Sequence, residues 1–280
     1  MTKLKHYAYL MRLDKPIGIF LLLWPTLWAL LLANQGNLSF KIVIIFVLGV
    51  ILMRSAGCII NDIADRHFDK HVLRTQNRPL VLGHIKVMEA FYLFLFCIST
   101  AFLLVLFLNR LTIELSFLAI LFAMIYPFLK RVTHLPQAGL GIAFAWGVPM
   151  AFAAENNTIP IVAWEIFLAA FIWPIIYDTM YAMVDRQDDI KIGVKSSAIL
   201  FGRSDRLVIG FLQILFVVLL MHIGFLFQLP TIYFFGLFLT SMLFFYQQWL
   251  IKNRDPGNCF KAFLNNHWIG MIIFAGIFLS

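Results

Sequence analysis

The sequence is short of charge. Asp, Glu, Lys and Arg together make up 13% of its 280 residues, about half the share of an ordinary soluble domain. Linkers are missing too: the connections are short, none is rich in Ser or Gly, and residues 1–280 read as a single domain. Cysteine is scarce. Cys58, Cys97 and Cys259 share neither a pairing pattern nor a metal spacing, which argues against a disulfide framework and against a zinc site. Alternation of apolar and polar residues is absent from the hydrophobic stretches, which excludes a transmembrane barrel, whose strands alternate.

What remains is long apolar runs. Hydrophobic residues make up 62% of the chain, and the mean hydropathy is +0.88. A run of about 20 apolar residues spans the hydrocarbon core as a helix, and lipid forces every spanning backbone group to find its partner internally. The fold class is therefore all-α, a polytopic membrane protein with about nine transmembrane helices. The expected spans are 17–33, 42–60, 88–108, 111–129, 137–154, 161–182, 206–227, 231–251 and 266–280. The basic segment Met1–Pro16 mimics a signal peptide. The run after it is too long for a signal h-region and no small-residue cleavage site follows, so the segment is expected to be retained.

Lysine and arginine sort by side. With the N-terminus in the cytoplasm, 19 of the 22 fall on the cytoplasmic face. Arg54 lies inside a span, and only Lys41 and Arg110 fall opposite. This is the positive-inside pattern. The net charge of +8 then reflects topology and attraction to anionic lipid. Nucleic acid is excluded as a partner, because the cations are interleaved with spans.

The aspartates are clustered on that same face. The first group reads Asn61-Asp62-Ile63-Ala64-Asp65-Arg66-His67-Phe68-Asp69, just after the second span. The second runs from Asp178 at the end of the sixth span through Tyr181 and Asp185 to Asp188 and Asp189. If the helices continue, Asn61, Asp65 and Asp69 share one face at i, i+4 and i+8, as do Tyr181, Asp185 and Asp189. Carboxylates so spaced repel one another, more strongly where screening water is scarce. A cation relieves that repulsion. Hard oxygen ligands, few in number, suit Mg²⁺, which keeps waters and shares the phosphates of its ligand. Basic residues stand beside both groups: Arg74 and Arg78 after the first, Lys191 and Lys195 after the second. Tyr126 and Lys130-Arg131 close the fourth span. Acidic metal-binding groups ringed by Arg and Lys make a site for a polyanion such as diphosphate.

These stretches resemble the UbiA superfamily of intramembrane prenyltransferases. The likeness runs through Arg12–Gly18 with Leu22–Leu30, through Leu52–Leu80, through Tyr126–Gln137 and through Tyr177–Gly202. The Asn-Asp-x-x-Asp-x-x-x-Asp pattern points to the superfamily. Tyr177-Asp178-Thr179-x-Tyr181-Ala182 and Asp188-Asp189-Ile190-Lys191-Ile192-Gly193 point to its hydroxybenzoate branch. Val81-Leu82-Gly83 departs from the usual Pro-Ser-Gly and leaves the metal ligands intact. The resemblance implies nine helices around a central cavity, and Mg²⁺ held by Asn61, Asp65, Asp69, Asp185 and Asp189. It implies that Arg131 serves the substrates. It also implies transfer of a polyprenyl group from a polyprenyl diphosphate to 4-hydroxybenzoate, in the inner membrane of a bacterium. Arg74, Arg78, Lys130 and Lys195 are then candidates for the diphosphate, and Arg12, Lys15 or Arg131 for the substrate carboxylate, with Tyr126 and Tyr181 beside them. Menaquinone or haem O synthesis within the superfamily is the nearer alternative.

A cation-coupled transporter is the alternative from another class, because intramembrane carboxylates suit cation pathways. Transporter sites, however, tend to lie at the midplane on broken helices, whereas these groups sit at helix ends. A CDP-alcohol phosphotransferase is excluded by the lack of its Asp-Gly and Ala-Arg pattern. His67 and His71 have a zinc-like i, i+4 spacing without the Glu of H-E-x-x-H, which favours loop or phosphate contacts. Trp24, Trp28, Trp146 and Trp173 read as packing or interface residues. Gly139, Gly141 and Gly147 read as close-packing positions.

Overall fold

The structure is a computed structural model and describes residues 2–35, 39–67, 69–71 and 75–280. Among them there are helices and turns and no strands. A short helix, α1 (Lys3–Leu10), lies before α2 (Ile17–Ala33). Then come α3 (Phe40–Asp65), α4 (Val87–Val105) and α5 (Arg110–Val132), followed by α6 (Pro136–Ala145) and α7 (Gly147–Asn156). The chain continues through α8 (Ile161–Ile192), α9 (Ser197–Phe201), α10 (Asp205–Leu226), α11 (Thr231–Leu250) and α12 (Pro256–Phe278). Seven helical stretches are long and apolar enough to cross a membrane, and α2 is a shorter apolar helix.

Each expected span coincides with helix, but four differ in extent. The span at 137–154 is interrupted at Trp146, between α6 and α7. Pro149 has no N–H to bond the carbonyl of Ala145, so the helix breaks there. The last span, expected from residue 266, begins ten residues earlier. Asp255 caps it by accepting from Asn258 N at 2.9 Å, and Pro256 follows at the first helical position, where its fixed φ suits a helix start. The other two, α3 and α8, run on past the apolar stretch into the aspartates. At 32 residues, α8 is about 48 Å long against a hydrocarbon thickness of about 30 Å. Its last turns therefore project beyond the lipid. It stops at Gly193, which takes the left-handed φ of +72° that glycine adopts at a helix C-terminus.

Tryptophan packs the centre. Trp28 and Trp173 are almost wholly buried, with ring centroids 5.3 Å apart. Each indole N–H has a partner: Trp28 donates to the Gly270 carbonyl and Trp173 to Asn266 Oδ1, both at 3.1 Å. Buried indoles need such partners. Packing thus accounts for both residues. Gly141 lies so close to α8 that an added Cβ would meet the Phe171 carbonyl oxygen at 2.6 Å, the close backbone approach of small residues in membrane bundles. Gln213, Gln247, Gln248 and Asn265 join α10, α11 and α12 through side-chain bonds of 3.0–3.1 Å.

Candidate active site

The first acidic group lies beyond one end of an apolar cavity, outside its lining. That cavity, about 150 Å³, lies among α2, α3, α4, α5, α6 and α7. Leu22, Val50, Phe102, Ile120 and Phe144 are among its walls, and Arg54 and Tyr126 are its polar groups toward the aspartate end. Asp65 is eleven residues beyond Arg54 on α3, roughly 16 Å along the helix axis. Asp62, Asp65 and Asp69 are all buried. Three carboxylates so placed are stable only if cations stand against them.

Those cations come from three separate places in the chain, and two more basic residues brace the backbone beside them. Arg12, in the turn after α1, donates from Nη2 to both oxygens of Asp62 at 2.8 and 2.9 Å. Arg78 Nη1 reaches Asp62 Oδ1 at 2.9 Å and Asp69 Oδ2 at 2.7 Å. Lys130, at the end of α5, pairs with Asp65 Oδ2. Arg131 donates to the Ala64 carbonyl at 2.7 Å, closing the end of α3, and its guanidinium lies over the Phe128 ring. Lys195 donates from Nζ to the Val132 carbonyl at 3.0 Å, and its backbone N–H donates to the Lys130 carbonyl at 3.3 Å. The end of α5 is therefore tied to Asp65 on one side and to the loop after the second acidic group on the other.

The structure corrects one assumption about the first group. Helix α3 ends at Asp65, so Asp69 is not on a continued helical stripe. It lies on a separate 3₁₀ turn, Asp69–His71, held by Arg78 and by Thr75 Oγ1, which donates to the Asp69 carbonyl at 2.9 Å. The turn sets Asp69 against Arg78, the guanidinium that also serves Asp62. Burial holds the Asp69 carboxyl above the usual carboxylate value; Arg78 opposes that shift, while Asp62 and Asp65 reinforce it. The second group does follow the helical expectation. Tyr181, Asp185 and Asp189 all lie on α8 and are partly buried. Tyr181 packs on Phe263 with centroids 4.7 Å apart. Asp188, likewise partly buried, pairs with Lys191 at 3.4 Å.

Other candidates fall elsewhere. Lys15 is exposed in the turn before α2. Arg74 lies outside the described residues, as does the loop step at Phe68. His67 accepts from its neighbour Arg66 at 3.0 Å. Two features escaped the sequence reading. Asp62, which sits off the expected stripe, is the carboxylate that two arginines share. Arg54 lies within Coulombic range of Tyr126, Tyr177 and Asp178, and its Nε is buried with no partner among the described residues. Its signal was present: it is the one cation inside a span, and such groups are functional by default.

No group of three His, Cys, Asp or Glu side chains already converges as a metal cage among the described residues. The donor set nonetheless fits a hard divalent cation. Asp65 Oδ1 is buried and has no hydrogen-bond partner among the described residues, and a carboxylate oxygen in that condition is a ligand waiting for a cation.

The all-helical bundle has counterparts among solved structures. The chain is similar to the apo structure of a UbiA homolog from Aeropyrum pernix K1, at 25% identity and a TM-score of 0.82 over 93% of this chain and 97% of that one. It has the same fold as a UbiA homolog from Archaeoglobus fulgidus bound to GPP and Mg²⁺, at 18% identity and a TM-score of 0.72 over 97% of this chain and 99% of that one. The model of the UbiA prenyltransferase family matches residues 22–272, and the chain belongs to that family. It is also 56% identical, over 99% of its own length and 97% of the relative's, to a 4-hydroxybenzoate octaprenyltransferase of Coxiella burnetii.

Proposed function

We propose that this chain transfers a polyprenyl group from a polyprenyl diphosphate to the carbon ortho to the hydroxyl of 4-hydroxybenzoate. The product would be 3-polyprenyl-4-hydroxybenzoate, an intermediate on the way to ubiquinone. One observation carries the reading: buried carboxylates, one with a bare oxygen, stand at the polar end of an apolar cavity that also holds a guanidinium. The relative from Coxiella burnetii supports the same substrates, and the Archaeoglobus fulgidus homolog supports a prenyl diphosphate with Mg²⁺. The positive-inside sorting supports a bacterial inner membrane with both acidic groups in the cytoplasm.

Asn61, Asp65, Asp69, Asp185 and Asp189 are the residues that would hold Mg²⁺. Bound there, Mg²⁺ neutralises charge that grows on the leaving diphosphate. Arg78, Lys130, Arg131 and Lys195 lie at the same end and would share that load. The prenyl tail lies along the apolar wall of the cavity. Arg54 is the cation within the cavity, so the substrate carboxylate is assigned to it in place of Arg12, which Asp62 occupies, and Lys15, which faces solvent. The allylic C–O bond breaks with its electron pair leaving on diphosphate. The ring carbon beside the phenol hydroxyl attacks the allylic cation, a C–C bond forms, and the ring proton leaves to restore aromaticity. Apolar walls keep water from quenching the cation.

The test is turnover of labelled 4-hydroxybenzoate by purified protein with Mg²⁺ and a series of prenyl diphosphates. Prenylated product formed only with Mg²⁺ is the expected result. Cation flux without any product would return the protein to the transporter class.

A further inference from the structure

A second cationic site lies where the end of α8, the α9–α10 junction and the start of α12 meet. Asp205, at the start of α10, is completely buried and is held by two arginines. Arg254 donates to it from Nε and Nη2 at 2.7–3.1 Å, and Arg186 Nη1 lies at 3.1 Å. Arg186 also donates from Nη2 to the carbonyls of Ala198 and Gly202, and Arg254 to that of Arg203 at 2.8 Å. These bonds lock the loop between α8 and α10. They do not neutralise it. One carboxylate stands against Arg186, Arg254 and a third arginine, Arg203, whose exposed side chain has no partner among the described residues.

All three arginines line one surface cleft of about 450 Å³, together with Ile190, Ile199 and Gly202. Neither Arg254 Nη1 nor Arg186 Nε makes a hydrogen bond among the described residues, so each guanidinium retains donors beyond those used on Asp205. The cleft also adjoins a lipid-facing surface. One turn after Arg203 comes Leu207, followed by Phe211, Ile214 and Val218 at i+4, i+7 and i+11, all exposed along one stripe of α10. A guanidinium fork matches phosphate oxygens, and basic pockets between membrane helices take anionic lipid headgroups.

We propose that this cleft binds the phosphodiester of an anionic phospholipid, with an acyl chain lying along the Leu207–Val218 stripe. A zwitterionic headgroup brings its own cation toward the arginines and is disfavoured. A free phosphate gains nothing from the apolar stripe.

The test uses the full chain purified in neutral detergent and a fluorescent phosphatidylglycerol, with phosphatidylcholine and inorganic phosphate as competitors. The variant is Arg203→Ala, which leaves the Asp205 pairs intact and folds like wild type by melting temperature. Wild type should bind phosphatidylglycerol, and Arg203→Ala should bind it roughly tenfold more weakly, the worth of about one charge-assisted contact. Phe211→Ser should weaken binding without altering the arginines. Equal affinity in wild type and Arg203→Ala overturns the site. Competition by phosphatidylcholine as strong as by unlabelled phosphatidylglycerol overturns the headgroup. Full displacement by inorganic phosphate overturns the lipid.

Discussion

Arg78 is the residue whose loss most directly tests the electrostatics of the first acidic group. It is one side chain serving two carboxylates, Asp62 at 2.9 Å and Asp69 at 2.7 Å. Among the described residues, Arg78→Ala leaves Asp69 buried without its guanidinium and leaves Asp62 with Arg12. Removing one partner of a buried pair costs about 3–5 kcal/mol. Asp62 keeps a partner and Arg78 itself is partly exposed, so the lower end, about 3 kcal/mol, is expected. At roughly 2 °C per kcal/mol for a chain of this size, the melting temperature should fall by about 6 °C. Arg12→Ala strips only Asp62, which retains Arg78, and should cost less. The two changes share a carboxylate, so they should not add. The assay is thermal unfolding of the purified protein in detergent, with EDTA and with Mg²⁺. Mg²⁺ should restore more stability to Arg78→Ala than to wild type, because a cation at the acidic group replaces the lost charge. Arg78→Ala melting with wild type, or Arg12→Ala costing more, would refute this account.

Other expectations concern the chemistry and the packing. Asp65→Ala and Asp185→Ala should each abolish prenyl transfer while leaving membrane insertion intact, and wild-type turnover in either would remove that residue from the metal site. Arg54→Gln should raise KM for 4-hydroxybenzoate by about 10–100-fold, the worth of a hydrogen bond to a charged group, with little change in KM for the prenyl diphosphate; an equal rise in both would place Arg54 elsewhere. Gly141→Ala should destabilise the bundle by about 1–3 kcal/mol through overpacking, because its Cβ would meet the Phe171 carbonyl at 2.6 Å. Gly57→Ala, with nothing within 4 Å of the added carbon, should melt like wild type or slightly higher.

The span pattern was legible in the sequence because burial in lipid leaves one simple mark, the long apolar run. The ends of the helices were less legible. Both α3 and α8 continue into polar sequence, where hydropathy carries no information and only the spacing of Asp185 and Asp189 indicates helix. That spacing held for α8. It did not extend to Asp69, because α3 ends at Asp65 and Asp69 lies on a separate turn against Arg78, a residue nine positions further along the chain. Arg12 pairing with Asp62 is a contact across fifty residues, and no local pattern carries that. Arg54 was visible as a solitary cation in an apolar run, yet its place in the cavity depends on α5 and α6 packing beside α3. The cluster of Asp205, Arg186, Arg203 and Arg254 had no signal beyond the positive-inside bias, because three arginines among many on one face look like topology.

Lys130 against Asp65 has a consequence for how the protein lives without its ion. A zinc finger collapses when stripped of metal, because its ligands have no other counter-charge. Here an ammonium on a flexible stem already stands at the carboxylate where a divalent ion would sit. Metal entry is then an exchange of one counterion for another. The fold should persist through cycles of loading and emptying, with the lysine stepping aside and returning. The counter-charge at Asp65 is thus built into the chain itself, on a helix sixty-five residues further on.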